Sequence, residues 1–221
     1  MSTKHKLFVP IAIVVGTMGI GSIAIAGLNM HRNSNLPIAQ KHDGMNHSGM
    51  SHNMDVGPAD ANYDLRFVDS MIPHHQGALV MAQEVIQKSK RPELVKFAKA
   101  IISEQQKEIA QMQQWRKQWY PKASATPMMW HSEMNHQMAM TAEYKQSMMM
   151  SMSLGAADAG FDLRFLNAMI PHHQGAVTMA KDSLKKSTRP QLQKLARSIL
   201  VSQQSEIDRM TQWRQKWYGG K

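Results

Sequence analysis

Two adjacent histidine pairs, His74-His75 and His172-His173, are the residues of this chain best equipped for chemistry. Each pair lies inside the same octapeptide, Met-Ile-Pro-His-His-Gln-Gly-Ala, at 71–78 and again at 169–176. Met71 stands three residues before His74 and Met81 seven after it. On a helix, steps of three, four and seven share one face. Met71, His74, Ala78 and Met81 therefore form a row, copied as Met169, His172, Ala176 and Met179. Imidazole and thioether together suit a soft ion, Cu(I) foremost. Because neutral imidazole is the ligating form, such a site is expected to lose affinity as pH falls through about 6.5.

Two further stretches carry the same donors. His42, Met45, His47, Met50, His52 and Met54 recur at nearly five-residue spacing in a run rich in Asn, Ser, Gly and Asp. No core requires that pattern and its glycines disfavour a helix, so residues 29–58 read as a flexible scavenging tether. Residues 122–157 form a Met-rich connector with His131, Met134, His136 and Met138 as candidate ligands. Met148-Met149-Met150 and Met152 are too dense for one buried face, so some are expected at the surface.

The elements that position these residues follow from a duplication. Residues 64–120 and 162–218 align without a gap, with 32 of 57 positions identical, so one supersecondary unit is used twice. Apolar residues at helical spacing predict a first helix ending near Ser89, capped by Asp60 or Asn62 and kinked at Pro73. Gly77 permits close approach of a neighbour. Lys90-Arg91-Pro92 makes a turn, with Pro92 opening the second helix. That helix has an apolar row interrupted by Gln105 and Glu108 before Met112, copied as Gln203, Glu206 and Met210.

A buried carboxylate needs a partner. In an antiparallel hairpin turning near 90–91, facing residue numbers sum to about 181, which sets His74 and His75 against the Gln105–Glu108 turn. Glu108 and Glu206 are then oxygen ligands, orienting acceptors for metal-bound imidazoles, or members of a purely structural His–Glu network. The repeats span 59–121 and 158–221. The fold class expected is all-α: two repeated helical hairpins packed as a four-helix bundle, the connector adding a further helix.

Composition narrows the function. Among 221 residues there are 21 Met, 11 His and no Cys. Thioether and imidazole without thiol is the soft-ligand set that survives an oxidising compartment. The net charge of +10 is scattered over helix faces, which argues for a solvated surface and against nucleic acid. Lys4 and Lys6 precede an uncharged apolar run, Leu7 to Leu28, long enough to span a bilayer, while Ala24-Ile25-Ala26 reads as a signal-peptidase site. Residues 1–28 are a signal peptide or an N-terminal membrane anchor, and both place the rest in the periplasm or outside the cell.

The chain resembles the domain of unknown function 305 family. Its pattern here is Asp64, Phe67, Met71–Ala78 and Met81-Ala82, then Asp162, Phe165, Met169–Ala176 and Met179-Ala180. The tandem arrangement with Met/His-rich tethers is similar to CopM-type periplasmic copper-binding proteins. That resemblance implies a ferritin-like helical bundle and copper binding linked to copper resistance. The reading that follows is a non-enzymatic protein that sequesters or carries Cu(I) and Cu(II), with copper-export or sensor proteins as candidate partners. A redox metalloenzyme such as a cuprous oxidase, and a helical interaction protein with incidental metal binding, are the competing classes.

Overall fold

The computed structural model describes residues 54–150 and 153–219. Four long helices, α1 (Tyr63–Lys88), α2 (Pro92–Trp119), α4 (Phe161–Lys186) and α5 (Pro190–Tyr218), carry the two repeats in the order α1-α2 and α4-α5. The connector between them folds as a β-hairpin, β1 (Met128–His131) and β2 (His136–Ala139), followed by the short helix α3 (Ala142–Met149). The protein is an all-α bundle with this small appendage. The expected further helix is present, while the hairpin was not foreseen. The tether residues before Met54, among them His42, Met45, His47, Met50 and His52, and the apolar run 7–28 lie outside the described residues. Among the described helices none is long and apolar enough to cross a membrane.

Helix α1 runs unbroken through Pro73, as α4 does through Pro171. Neither Asn62 nor Gly160 caps its helix with a side chain. Instead the chain before each helix is pinned by an arginine one turn inside it. Arg66 binds the Val56 and Pro58 carbonyls and pairs with Asp60 at 3.0 Å. Arg164 binds the Leu154 and Ala156 carbonyls and pairs with Asp158 at 2.9 Å. The duplication thus reaches back in space to about residue 56, beyond the stretch where the sequences match closely.

The two repeats build one bundle, and a pseudo-twofold axis relates them. At one end Arg91 reaches Asp162 at 3.2 Å and lies over Trp217, and at the other Arg189 reaches Asp64 at 3.0 Å and lies over Trp119. Each hairpin turn therefore clamps the start of the other repeat.

Apolar burial divides into two cores. One joins Ala78, Met81, Ala82 and Val85 of α1 to Phe161, Phe165, Leu166 and Met169 of α4. The other joins Phe67, Val68 and Met71 of α1 to Ala176, Met179 and Ala180 of α4. The late half of α1 meets the early half of α4 and the reverse, so these helices run antiparallel. Both octapeptides cross between the cores, and the bundle has a polar waist there.

Candidate metal centre

All four histidines of the octapeptides are fully buried at the waist. His74 and His172 meet across the pseudo-twofold axis with ring centroids 3.9 Å apart, flanked by His75 and His173 at 6.3 and 6.2 Å. His75 Nε2 lies 2.7 Å from a Glu108 carboxylate oxygen, and His173 Nε2 lies 2.8 Å from that of Glu206. Residues 75 and 108 sum to 183, so the register read from the hairpin turn is right to within one turn. A carboxylate only accepts, so each Nε2–H donates. That tautomer leaves Nδ1 of His75 and His173 with its lone pair free, and both atoms are buried without a hydrogen-bond partner. The carboxylates thus orient the imidazoles, as partners behind metal-bound histidines do.

His74 and His172 are more extreme, for neither nitrogen of either ring has a partner of hydrogen-bond geometry. A buried unsatisfied polar group costs roughly 1–3 kcal/mol, and the waist holds several. Burial pushes both rings well below the ordinary imidazole pKa, and the neighbouring histidines push the same way. The Met149 backbone beside His172 and the His172 backbone beside His74 oppose this more weakly. His74 and His172 are therefore neutral well below pH 6.5. The expected loss of ligating form near 6.5 is overturned for these two, because that value belongs to a solvated imidazole.

The two sides of the waist are covered differently. A Cβ placed on Gly175 would lie 3.4 Å from Met54 Sδ and 3.1 Å from His74 Nε2. The thioether at the end of the tether thus shares one small cradle with an unpartnered ring nitrogen. On the other side a Cβ on Gly77 would collide with the Met149 carbonyl, the close approach anticipated at that glycine. Glu104 of α2 lies beside Ser202, its own counterpart in α5. Burial raises the Glu104 carboxyl above the usual range, Ser202 opposes that, and Glu206 and Glu108 add to it. Gln105 and Gln203 are buried beside them with amide atoms unpartnered.

The other expected ligands lie elsewhere. Met71, Met112 and Met179 are buried in one apolar core, and Met81, Met169 and Met210 in the other, so the methionines of each predicted row fall on opposite sides of the waist. His131, Met134, His136 and Met138 are on the hairpin, away from the octapeptides in sequence and partly exposed. Met148 is fully buried while Met149 and Met150 are half-buried, and Met152 of the same run lies outside the described residues. Met54 was read as one bead of a tether, and its place beside His74 is a contact that no spacing rule reveals. Glu104 was missed, although its position one turn before Glu108 was a signal.

The donor set can be tested for fit to a metal. Among the described residues no three His, Asp or Glu side chains converge to hold one ion. Paired neutral imidazoles with free lone pairs, and a thioether in the same cradle, fit a soft cation of low coordination number such as Cu(I).

Known proteins with this architecture bear on that fit. The domain of unknown function (DUF305) matches residues 64–214. CopM in its Cu(II)-bound form is 39% identical, with 70% of this chain and 97% of that one covered and a TM-score of 0.57. CopM in its Cu(I)-bound form is 37% identical over the same shares, with a TM-score of 0.55. A putative secreted protein of this kind from Streptomyces coelicolor is 32% identical, covers 72% of this chain and 93% of that one, and has a TM-score of 0.55. An uncharacterized protein, L153 of Acanthamoeba polyphaga mimivirus, is 45% identical over 49 residues, 22% of this chain and 32% of its own length.

Proposed function

The chain belongs to the DUF305 family, and from that premise we propose that it is an exported, non-enzymatic copper-binding protein. It sequesters Cu(I), and Cu(II) where imidazoles dominate, and so contributes to copper resistance. The observation that carries this reading is the waist: four buried imidazoles with six ring nitrogens unpartnered. Folding keeps them there at a cost in stability, which an apolar core would avoid. A bound cation would recover that cost. His74 with Met54, and the Nδ1 atoms of His75 and His173, are the donors that would hold it, with Glu108 and Glu206 fixing the rings. The arm before Met54, with its His and Met, captures ions and delivers them towards the waist.

Several facts support the reading. CopM has been solved with Cu(I), Cu(II) and Ag bound. The Streptomyces relative is described as secreted, which agrees with the Leu7–Leu28 run and its Ala24-Ile25-Ala26 site. The test is anaerobic Cu(I) titration of the full chain against a chromophoric chelator. Replacing His74 and His172 with Leu should abolish the tightest equivalents and leave those of the arm. Unchanged tight binding would refute the waist as the site.

A second reading draws on the fixed, fully buried setting of the histidines, which also suits a cuprous oxidase. That enzyme would consume dioxygen when supplied with Cu(I), whereas a carrier would protect Cu(I) from it. An oxygen electrode distinguishes them.

A further inference from the structure

Outside the waist, the hairpin of the connector places two imidazoles together in a way its fold does not need. His131 ends β1 and His136 opens β2, and the two are direct partners across the strands. Their rings stack nearly parallel, 9° apart in plane with centroids separated by 6.1 Å. Between them runs a tight loop, Ser132 to Asn135, closed by Asn135 at a φ of 51°, a left-handed conformation that Asn tolerates well. Met134 stands at the tip of this loop with 57% of its surface exposed. An exposed thioether beside two partly exposed imidazoles is unfavourable as packing and useful as ligation.

The hydrogen bonds of the loop set the ring nitrogens. His136 Nδ1 lies 3.3 Å from the Met134 carbonyl. A carbonyl only accepts, so Nδ1 carries the proton and Nε2 keeps its lone pair for a metal. His131 Nδ1 accepts from the Met134 backbone N–H at 3.2 Å. Ligation by His131 Nε2 therefore requires the ring proton to move to Nδ1 and that bond to break. The bond is solvent-exposed, so water takes the N–H and the exchange costs little.

The position of the loop gives the site a use. Ser132 donates to the Asp55 carboxylate at 3.2 Å, and Trp130 packs on Gly57. The hairpin thus leans on the chain segment that bears Met54, whose thioether sits at His74.

We infer that His131 and His136, with Met134 at the loop tip, form a second, surface metal site for a late first-row cation, Cu(II) ahead of Zn(II). Imidazole favours these ions, and Cu(II) leads that order of affinity. The site is exchangeable because it is open to solvent and incompletely surrounded. It stands beside the segment Asp55–Gly57, and its existence does not depend on what the waist binds.

The test uses the full chain, labelled with 15N, and Cu(II) alone as the probe. Substoichiometric Cu(II) should erase the amide signals of His131 to His136 through paramagnetic broadening. Replacing His131 and His136 with Gln should restore those signals while broadening in the arm persists. Loop signals that stay sharp in the native chain would overturn the assignment, as would broadening unchanged in the double variant, which would place the ion elsewhere. Should the variant lose the hairpin, footprinting of the native chain decides. Cu(II) should then shield His131 and His136 from diethylpyrocarbonate, and equal labelling with and without Cu(II) would refute the site.

Discussion

Gly77 and Gly175 occupy the same position in the two repeats, yet alanine should act on them with opposite sign. A Cβ at Gly77 would collide with the Met149 carbonyl oxygen and lie 2.6 Å from its carbon. Backbone cannot swing away as a side chain does, so the segment after α3 must lift and loosen the fully buried Met148 beside it. Overpacking of this kind costs about 1–3 kcal/mol, against about 1 kcal/mol gained from replacing a mid-helix Gly by Ala. Gly77→Ala should lose up to roughly 2 kcal/mol net, lowering the melting point by up to about 8 °C for a chain of this size.

At Gly175 the nearest atom is the Met54 methyl at 2.8 Å, the free end of a flexible side chain. It can turn aside, and His74 Nε2 at 3.1 Å need give only slightly. Gly175→Ala should be neutral or gain up to about 1 kcal/mol. The displaced atom is however the thioether beside His74, so Cu(I) affinity should fall roughly tenfold or more, the scale of losing one support of a metal ligand. Thermal unfolding of the apo forms by circular dichroism and Cu(I) competition titration measure the two effects. Equal melting shifts for both variants would refute the seating of Met149 on α1. Undiminished Cu(I) affinity in Gly175→Ala would remove Met54 from the site.

Three further outcomes are expected. Replacing His74 with Leu removes two unpartnered ring nitrogens and should keep or raise apo stability, whereas His75→Ala strands Glu108 and should cost about 1–3 kcal/mol by chemical denaturation. Apo stability should fall as pH drops below about 6.5. His74 and His172 sit well below their unfolded value, so the unfolded chain takes up protons first, and the loss approaches ~1.4 kcal/mol per pH unit for each ring. A melting point flat from pH 7 to 5.5 would contradict that. Asp69 is buried against Arg116 and accepts the Met128 N–H, while its counterpart Asn167 is exposed against Arg214. Asp69→Ala should therefore destabilise by about 1–3 kcal/mol and Asn167→Ala by about 0.5 or less, by the same melts.

The helices and the hairpin register were legible because both rest on local signals. Apolar spacing fixes a helix face, and a turn at Arg91-Pro92 leaves few ways to pair α1 with α2, hence His75 with Glu108. The antiparallel meeting of α1 and α4 has no such signature, since the docking of the two repeats is decided by side-chain packing over both cores. For the same reason the predicted rows failed to gather Met71 and Met81 with His74. The row lies on one face as expected, but it is long enough to run from one core across the waist into the other. The β-hairpin was concealed by composition. Met-Met-Trp-His and His-Gln-Met-Ala lack the β-branched residues that mark strands. Their one clue was the near-mirror order about Ser132–Asn135, with Asn at the position that needs positive φ.

The axis explains why the histidines gather where they do. In a bundle made from two copies of one hairpin, a residue near the axis faces its own duplicate, so His74 meets His172 and Glu104 meets Ser202. An isolated imidazole in an apolar core is a defect, but duplication places two defects in contact, which is half of a ligand shell. Symmetry alone would then give two equal half-sites. The chain breaks it at each cover: the Met54 side chain closes the His74 side, and a backbone carbonyl closes the His172 side. Only the first cover can exchange a ligand without unfolding helix or connector. Entry and release of an ion should therefore run through Met54 and His74, and the second repeat serves chiefly to hold His172 and His173 in place.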